Sequence, residues 1–272
     1  MRASVQPIYD PHTNFVGSIF STPQGLFCVD PRDQFVAQSL IQRGSFGAHE
    51  IARIEKLISP DQSILMLGPH LGALAVPLSK KVRNLVAVEA NPYTYRLLSI
   101  NRVLNGCNNL EIFHAAANDK DGEIEFVVNV VNSGGSKRMP LHKDGAYFHD
   151  NPQIVKVPSL AMDGLLKDRT FDLIFMDIEG SEYFAMKGMP GLLSRAKILI
   201  TEFLPHHLAR VGGITVRDFL SPLKDFELLY IPSLTTKCES PDFERVLTEM
   251  FVRGIGDEGI IFFKDKNLPK FG

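Results

Sequence analysis

The chain has 272 residues, 44% of them hydrophobic and 22% charged, which is the composition of an ordinary globular protein that can bury a substantial core. A formal net charge of −2 excludes the broad basic field expected of sequence-independent nucleic-acid binding. Three isolated cysteines, Cys28, Cys107 and Cys238, form no CxxC pair and argue against a disulfide framework.

Residues 1–30 alternate turn residues (Pro7, Asp10-Pro11, Gly17, Pro23) with short β-prone pieces such as Leu26-Phe27-Cys28-Val29. The first seven residues carry no apolar signal core, and the apolar run at 64–78 is too short and too broken to span a bilayer. A cytoplasmic protein with no membrane partner is expected. From Asp33 the period changes. Phe35, Val36, Leu40 and Ile41 recur at helical spacing up to Gly44, and a second helix over 49–58 places Ile51, Ile54, Leu57 and Ile58 on one face. Residues 1–60 thus read as an N-terminal extension of short strands and two helices, ahead of a larger domain over 61–272.

In that larger domain strands and helices alternate. Ser63-Ile64-Leu65-Met66-Leu67 is an apolar strand ending at Gly68, and a helix is expected over 71–81. Leu85-Val86-Ala87-Val88 is a strand ending at Glu89, and Pro92 opens a helix stopped by Asn105-Gly106. Residues 110–115 form a third strand. Residues 122–131 alternate like an antiparallel or edge strand, and 132–151 read as a polar, mobile loop. Further strands are expected over 154–157, 171–177, 197–203, 227–231 and 259–263. Short helices are expected over 161–166 and 215–223, and one longer helix over 181–195, with a disturbance at Pro190-Gly191. Repeated strand-helix-strand units predict a Rossmann-like α/β fold: a mostly parallel central sheet with helices on both faces.

Ligands of such sheets sit at the carboxyl ends of the strands. The first strand is followed there by Gly68-Pro69-His70-Leu71-Gly72. Glycines permit a tight turn and a close backbone approach, and a following helix N-terminus would offer free N–H donors. The spacing is GxxxG rather than GxGxxG, which favours a nucleoside without phosphates over NAD. Glu89 lies 21 positions after Gly68, close to the roughly 20-residue offset at which an acid accepts from ribose hydroxyls. A solvated acid near a helix N-terminus is the bland alternative.

Beyond these two signals, the order of several short pieces resembles the FkbM-type methyltransferases over residues 35–264. Val88-Glu89-Ala90-Asn91-Pro92 is similar to that family's phenylalanine-Glu-Pro-Asn-Pro stretch. It is followed by Leu104-Asn105-Gly106, Ala115-Ala116-Ala117, Asp119-Lys120-Asp121-Gly122-Glu123 and Asn132-Ser133-Gly134-Gly135-Ser136. Met162-Asp163-Gly164-Leu165-Leu166 and Met176-Asp177-Ile178-Glu179-Gly180-Ser181-Glu182 complete the series. The resemblance implies a class I methyltransferase fold and S-adenosylmethionine (SAM) as cofactor. It also implies methyl transfer to an oxygen of a sugar, glycan or other small molecule, with Ala90, Asn91 and Ala116 beside Gly68, His70, Gly72 and Glu89 at the cofactor. One departure stands out. Met66 occupies the position where the family opens its glycine loop with an acid, and His70 replaces an Asn. That departure carries a second reading, a binding or regulatory module that keeps the fold without catalysis. An NAD-dependent oxidoreductase is a third.

Asp177 ends an apolar strand, where an unpaired acid is costly unless it has a task. It is a candidate for the SAM ammonium or for taking a proton from an acceptor hydroxyl. Glu179 and Glu182, three apart, would share a face if both were helical. Glu202 near the next strand end and His206, followed by His207, lie at the same rim, and Glu202 and His206 join Asp177 as candidate catalytic groups. An Asp177–Glu202–His set could hold a divalent metal, but no HxxxE spacing supports one and no metal is expected. Ser133-Gly134-Gly135, with Lys137 and Arg138, is a candidate lid over the cleft. His114, His142 and His149 read as surface or loop residues.

Overall fold

The computed structural model describes residues 16–143, 145–148 and 151–267. The leader expectation and His149 fall outside them. A hairpin of β1 (Ser18–Thr22) and β2 (Gly25–Val29) precedes helices α1 (Val36–Arg43) and α2 (Ala48–Glu55). Then come β3 (Ser63–Leu67), α3 (Ala75–Ser79), β4 (Asn84–Glu89), α4 (Pro92–Leu104), β5 (Leu110–His114) and the short β6 (Ala116–Ala117). They are followed by β7 (Gly122–Val128), β8 (Lys137–Arg138), β9 (Gln153–Leu160), α5 (Met162–Leu165), β10 (Leu173–Met176), α6 (Glu182–Lys187) and α7 (Pro190–Arg195). The last third holds β11 (Ile198–Phe203), α8 (Pro205–His207), α9 (Val216–Leu220), β12 (Leu228–Ile231), β13 (Thr236–Glu239), α10 (Phe243–Val252) and β14 (Asp257–Phe263).

The main sheet has the order β5-β4-β3-β10-β11-β14-β12-β13. Strands β5, β4, β3, β10 and β11 are mutually parallel, whereas β14 runs antiparallel to both β11 and β12. The chain builds outward from β3 to β5, then returns to place β10 on the other side of β3. The strand order reverses there, and a crevice opens at the carboxyl edge.

Period-2 alternation sorts the strand residues between two helical layers. Ile64 and Met66 bury against α1, α2, α3 and α4, while Leu65 and Leu67 belong to the layer of α6, α7, α9 and α10. Side chains of the first 60 residues, Phe27, Leu40 and Ile54 among them, share the first layer with β3 and β10. Each fully buried aliphatic side chain contributes on the order of 2 kcal/mol. No helix among the described residues is long and apolar enough to cross a membrane.

A second sheet, β6-β9-β7-β8, packs Ala116, Phe126, Val128 and Val157 into a small cluster beside the crevice. Strand β7 is antiparallel as expected, but it has a partner on each side, so β8 forms the edge. The expected loop over 132–151 contains a 3-10 turn at Ser133–Gly135, strand β8 and a second 3-10 turn at Gly145–Tyr147. Three expected helices differ from their apolar patterns: that over 215–223 covers only Val216–Leu220, and the other two are interrupted by glycines. Gly72, at φ +95°, cannot be helical, so α3 begins only at Ala75. The helix expected over 181–195 is two helices, α6 and α7. Gly188 lies so close to Asn118 that a Cβ would stand 1.8 Å from its carbonyl oxygen, and Pro190 restarts the chain at a first helical turn.

Candidate functional site

The cleft lies where β3, β4 and β10 end. Gly68 leaves β3 at φ +81°, and a Cβ there would stand 1.8 Å from the Asp177 carbonyl oxygen, so only glycine lets the two strand ends pass. Three of the loop's amides are used internally. Gly68 N–H donates to Val88 O (3.0 Å), Pro69 has none, His70 N–H donates to Glu89 Oε2 (2.8 Å), and Gly72 N–H donates to Pro69 O (2.9 Å). The helix that follows, α3, begins three residues beyond the loop at Ala75, so its N-terminus does not start directly on the loop.

Glu89 is buried, and its second oxygen accepts from Asn91 N–H (2.8 Å). Burial pushes its carboxyl above the usual range, and hydrogen bonds from backbone amides and from the Thr94 side chain partly offset this. The bland alternative for Glu89, a solvated acid, is thus excluded. The N-cap of α4 is Asn91, whose side chain accepts from Tyr93 N–H (3.0 Å) and donates to Ser136 Oγ (3.2 Å).

Gly68, His70, Glu89, Ala90, Ala116 and Asp177 all line one cleft, together with Val88, Ile124, Phe126 and Ser133. The space between these residues, open solvent included, is about 550 Å³. Gly72 and Asn91, expected at the cofactor, are not among its lining residues. Gly72 is a packing glycine, since a Cβ would come within 2.8 Å of Leu98 on α4. Asn91 is occupied in capping.

Position 66 carries no acid, but a buried acid from elsewhere in the chain contacts the Gly68–Gly72 loop through Ser133. Met66 is buried in the core, away from the cleft lining. Asp33, from just before α1, is itself buried and accepts from Ser133 Oγ through a short hydrogen bond. Ser133 Oγ lies 2.7 Å from His70 Nε2. Burial pushes the His70 imidazole down to about 4, against the opposing pull of Asp33. Its Nδ1 is buried without a hydrogen-bond partner among the described residues.

On the other side of the cleft stands a carboxylate cluster. Asp177 is open to the cleft yet surrounded by protein, and its carboxylate makes no hydrogen bond among the described residues. Desolvation, then the charges of Glu179 and Glu182, hold its carboxyl well above the usual range. Glu179 does not share a helix face with Glu182. It sits in a left-handed turn at φ +55°, and α6 begins only at Glu182. Glu182 is buried and turns back to accept from Ile178 N–H (3.1 Å). Burial raises it to about 7.

Glu202 sits where the β11–β14 register shifts, a local irregularity that re-aims a strand side chain. It is buried 3.2 Å from His207 Nδ1. Burial and the charges of Glu179 and Asp177 push its carboxyl well up. His207 Nε2 lies 3.4 Å from Lys137 Nζ, which donates to Glu179 Oε2 (2.9 Å). The structure thus brings His207 into the cluster, whereas the His206 side chain is exposed on the rim, its ring centroid 4.2 Å from that of His207. The two residues are adjacent in sequence, and the short α8 turns them to different sides. Glu179, Glu202 and His207 could ligate a metal, their ligand atoms lying within 4.8 Å of one another. The Lys137 ammonium already supplies a cation among them. Asp33, Ser133, Lys137 and His207 were not named as site residues from sequence. Local hints existed for three of them: Ser133 and Lys137 belong to the candidate lid, part of which lines the cleft, and His207 follows His206 at the rim.

Of the remaining histidines, His142 is exposed, but His114 is half-buried at the end of β5. It stacks on Tyr95 at 5.0 Å and pairs with Ala90 O at 3.2 Å, so it is not a simple surface residue.

Comparison with known proteins gives the family. The uncharacterized protein MJ1452 of Methanocaldococcus jannaschii is 36% identical over 64 residues, covering 24% of this chain and 25% of that protein. Among solved structures, the methyltransferase FkbM from Methylobacillus flagellatus KT is 15% identical, covering 76% of this chain and 44% of that one, with a TM-score of 0.42. Trm5 of Methanocaldococcus jannaschii, solved with adenosine, is 13% identical, covering 93% and 57%, with a TM-score of 0.45. The chain thus spans about a quarter of the curated relative's length and less than two thirds of either solved chain. A family model described as the methyltransferase FkbM domain matches residues 72–254, well over half of the sequence, and the chain belongs to that family.

Proposed function

We propose that the chain is a SAM-dependent methyltransferase acting on a hydroxyl oxygen of a small molecule or sugar. The observation that carries this is Glu89: a buried carboxylate at the end of the second parallel strand, facing the cleft and braced by two backbone amides. Its carboxylate lines the cleft from this brace, where an acid can accept from ribose hydroxyls. The loop opposite has spent its Gly68, His70 and Gly72 amides internally, which suits a nucleoside and leaves little to cradle a pyrophosphate. The apolar walls of Val88, Ala115, Ala116 and Phe126 fit a purine. The residues present therefore fit SAM: Glu89 would hold the ribose, Ala90 and Ala116 would flank the base, and Gly68 would allow close approach of the amino-acid end. SAM, when bound, supplies an electrophilic methyl group on a sulfonium sulfur.

The chain's own contribution is alignment and a proton acceptor. Asp177 is the candidate acceptor, because its carboxylate is open to the cleft and free of hydrogen bonds among the described residues. His207 is already engaged by Lys137 and Glu202. Carboxylates at the rim disfavour an anionic acceptor, in keeping with a neutral hydroxylated molecule rather than nucleic acid. Titration of the protein with SAM and with S-adenosylhomocysteine in a calorimeter tests the cofactor. Micromolar binding is expected, followed by turnover in a screen of hydroxylated acceptors. Absence of binding by both ligands would overturn the reading and favour a non-catalytic module.

A further inference from the structure

We infer that Asp33, from the segment ahead of the sheet, is a positioning residue of the cofactor cleft: through Ser133 it fixes the tautomer and orientation of the His70 ring, and so the His70 main chain that braces Glu89. This rests on the cofactor reading above. The argument is proton counting along three side chains. Ser133 has a single hydroxyl proton, and it donates that proton to Asp33 Oδ2. Ser133 Oγ must then accept from His70, which puts the ring proton on Nε2 across the 2.7 Å contact. The ring is neutral, because burial holds it far below its ordinary value. Nδ1 is therefore an acceptor, and it is the buried ring nitrogen left without a partner among the described residues. An enclosed acceptor without a partner is costly, so the ring keeps this tautomer only because the Asp33–Ser133 relay holds its proton on Nε2.

Asp33 is well built for this role. Its other oxygen accepts from Phe35 N–H at 2.8 Å, which anchors the carboxylate to the entry of α1. The same His70 donates its main-chain N–H to Glu89, so one residue couples Asp33 to the proposed ribose carboxylate.

The test is Asp33→Asn. It keeps the acceptor toward Phe35 but turns the atom facing Ser133 into a donor. Ser133 would then donate to His70 Nε2, and the ring proton would move to Nδ1. Long-range proton–nitrogen correlation spectra report the tautomer directly, with the His70 signals identified by their loss in His70→Asn. The wild type is expected to show Nε2–H and Asp33→Asn to show Nδ1–H. S-adenosylhomocysteine is expected to bind the variant about tenfold more weakly, while its denaturation midpoint changes little. Ser133→Ala, which cuts the relay without touching α1, is expected to weaken binding similarly.

An Nδ1–H wild type overturns the inference. So does an Asp33→Asn variant whose tautomer inverts while its affinity for S-adenosylhomocysteine is unchanged. If the wild type binds neither SAM nor its product, the cofactor reading fails first and takes the ligand part of this inference with it. That outcome is distinct from loss confined to the variants.

Discussion

His70 and Glu89 are joined by a 2.8 Å hydrogen bond from the main-chain N–H of one to the carboxylate of the other, and this bond ties the glycine loop to the end of the neighbouring strand. With Asn91 N–H on its second oxygen, Glu89 is both a brace for two turns and the proposed ribose ligand. Glu89→Gln retains one carbonyl acceptor but points an amide donor at an amide donor. We expect a stability loss of about 1–3 kcal/mol by chemical denaturation. Affinity for S-adenosylhomocysteine should fall at least tenfold in calorimetry. Unchanged affinity would remove Glu89 from the cofactor site.

Gly68→Ala should be more severe than an ordinary glycine substitution. The backbone is at φ +81° and the new methyl would collide with the Asp177 carbonyl, so β3 and β10 would have to separate at their ends. A loss exceeding about 2 kcal/mol is expected, with cofactor binding abolished. A variant that melts and binds like the wild type would show that the loop does not need this close passage.

Asp177→Asn separates two roles for that carboxylate. If it accepts the acceptor's proton, kcat falls by roughly 10²–10⁴ while the Kd for S-adenosylhomocysteine moves little. Burial and neighbouring charges raise its carboxyl, so wild-type activity should climb with pH through a limb above the ordinary carboxylate range. That limb should vanish in Asp177→Asn. A weakened Kd with nearly intact kcat would instead assign Asp177 to the cofactor's ammonium.

Glu182 gives a prediction about stability rather than activity. Its carboxyl is raised to about 7 in the folded protein, above the ordinary glutamate value. As pH rises from about 4.5 to about 7, the unfolded chain releases this proton first, so the folded state loses stability across that window. The contribution is on the order of 3 kcal/mol. Glu182→Gln keeps the acceptor for Ile178 N–H and removes the titration. It should flatten the pH dependence of denaturation in that window and be the more stable protein at pH 8. A wild type whose stability rises from pH 5 to pH 7 would contradict this assignment.

The two adjacent histidines should behave unlike each other. His206→Ala removes an exposed ring and should change stability by no more than about 0.5 kcal/mol. His207→Ala strips the buried Glu202 of its neighbour and Lys137 of one contact, at a cost of about 2–4 kcal/mol. Equal effects in paired denaturation curves would mean that the cluster is not held together by His207.

The sequence by itself determined the alternation of strands and helices, the loop that Gly68 opens, the acid at Glu89 and the ordered pieces that mark the family. These signals are local: the period of an apolar stripe, a glycine after a strand, a fixed offset within one βαβ unit. It misjudged α3 because a glycine with positive φ interrupts an apolar pattern that reads as one helix. It divided 181–195 only faintly, since the steric conflict at Gly188 comes from Asn118, 70 positions earlier. Tertiary structure alone decided that Met66 faces the core and that Asp33 meets Ser133 across 100 positions. It also decided that Lys137 bridges Glu179 and His207, and that His207 rather than His206 turns inward. The physical reason is that buried polar groups must find partners wherever packing brings them. Such pairings have no period along the chain, because desolvation penalises an unmatched charge regardless of where its partner lies in sequence.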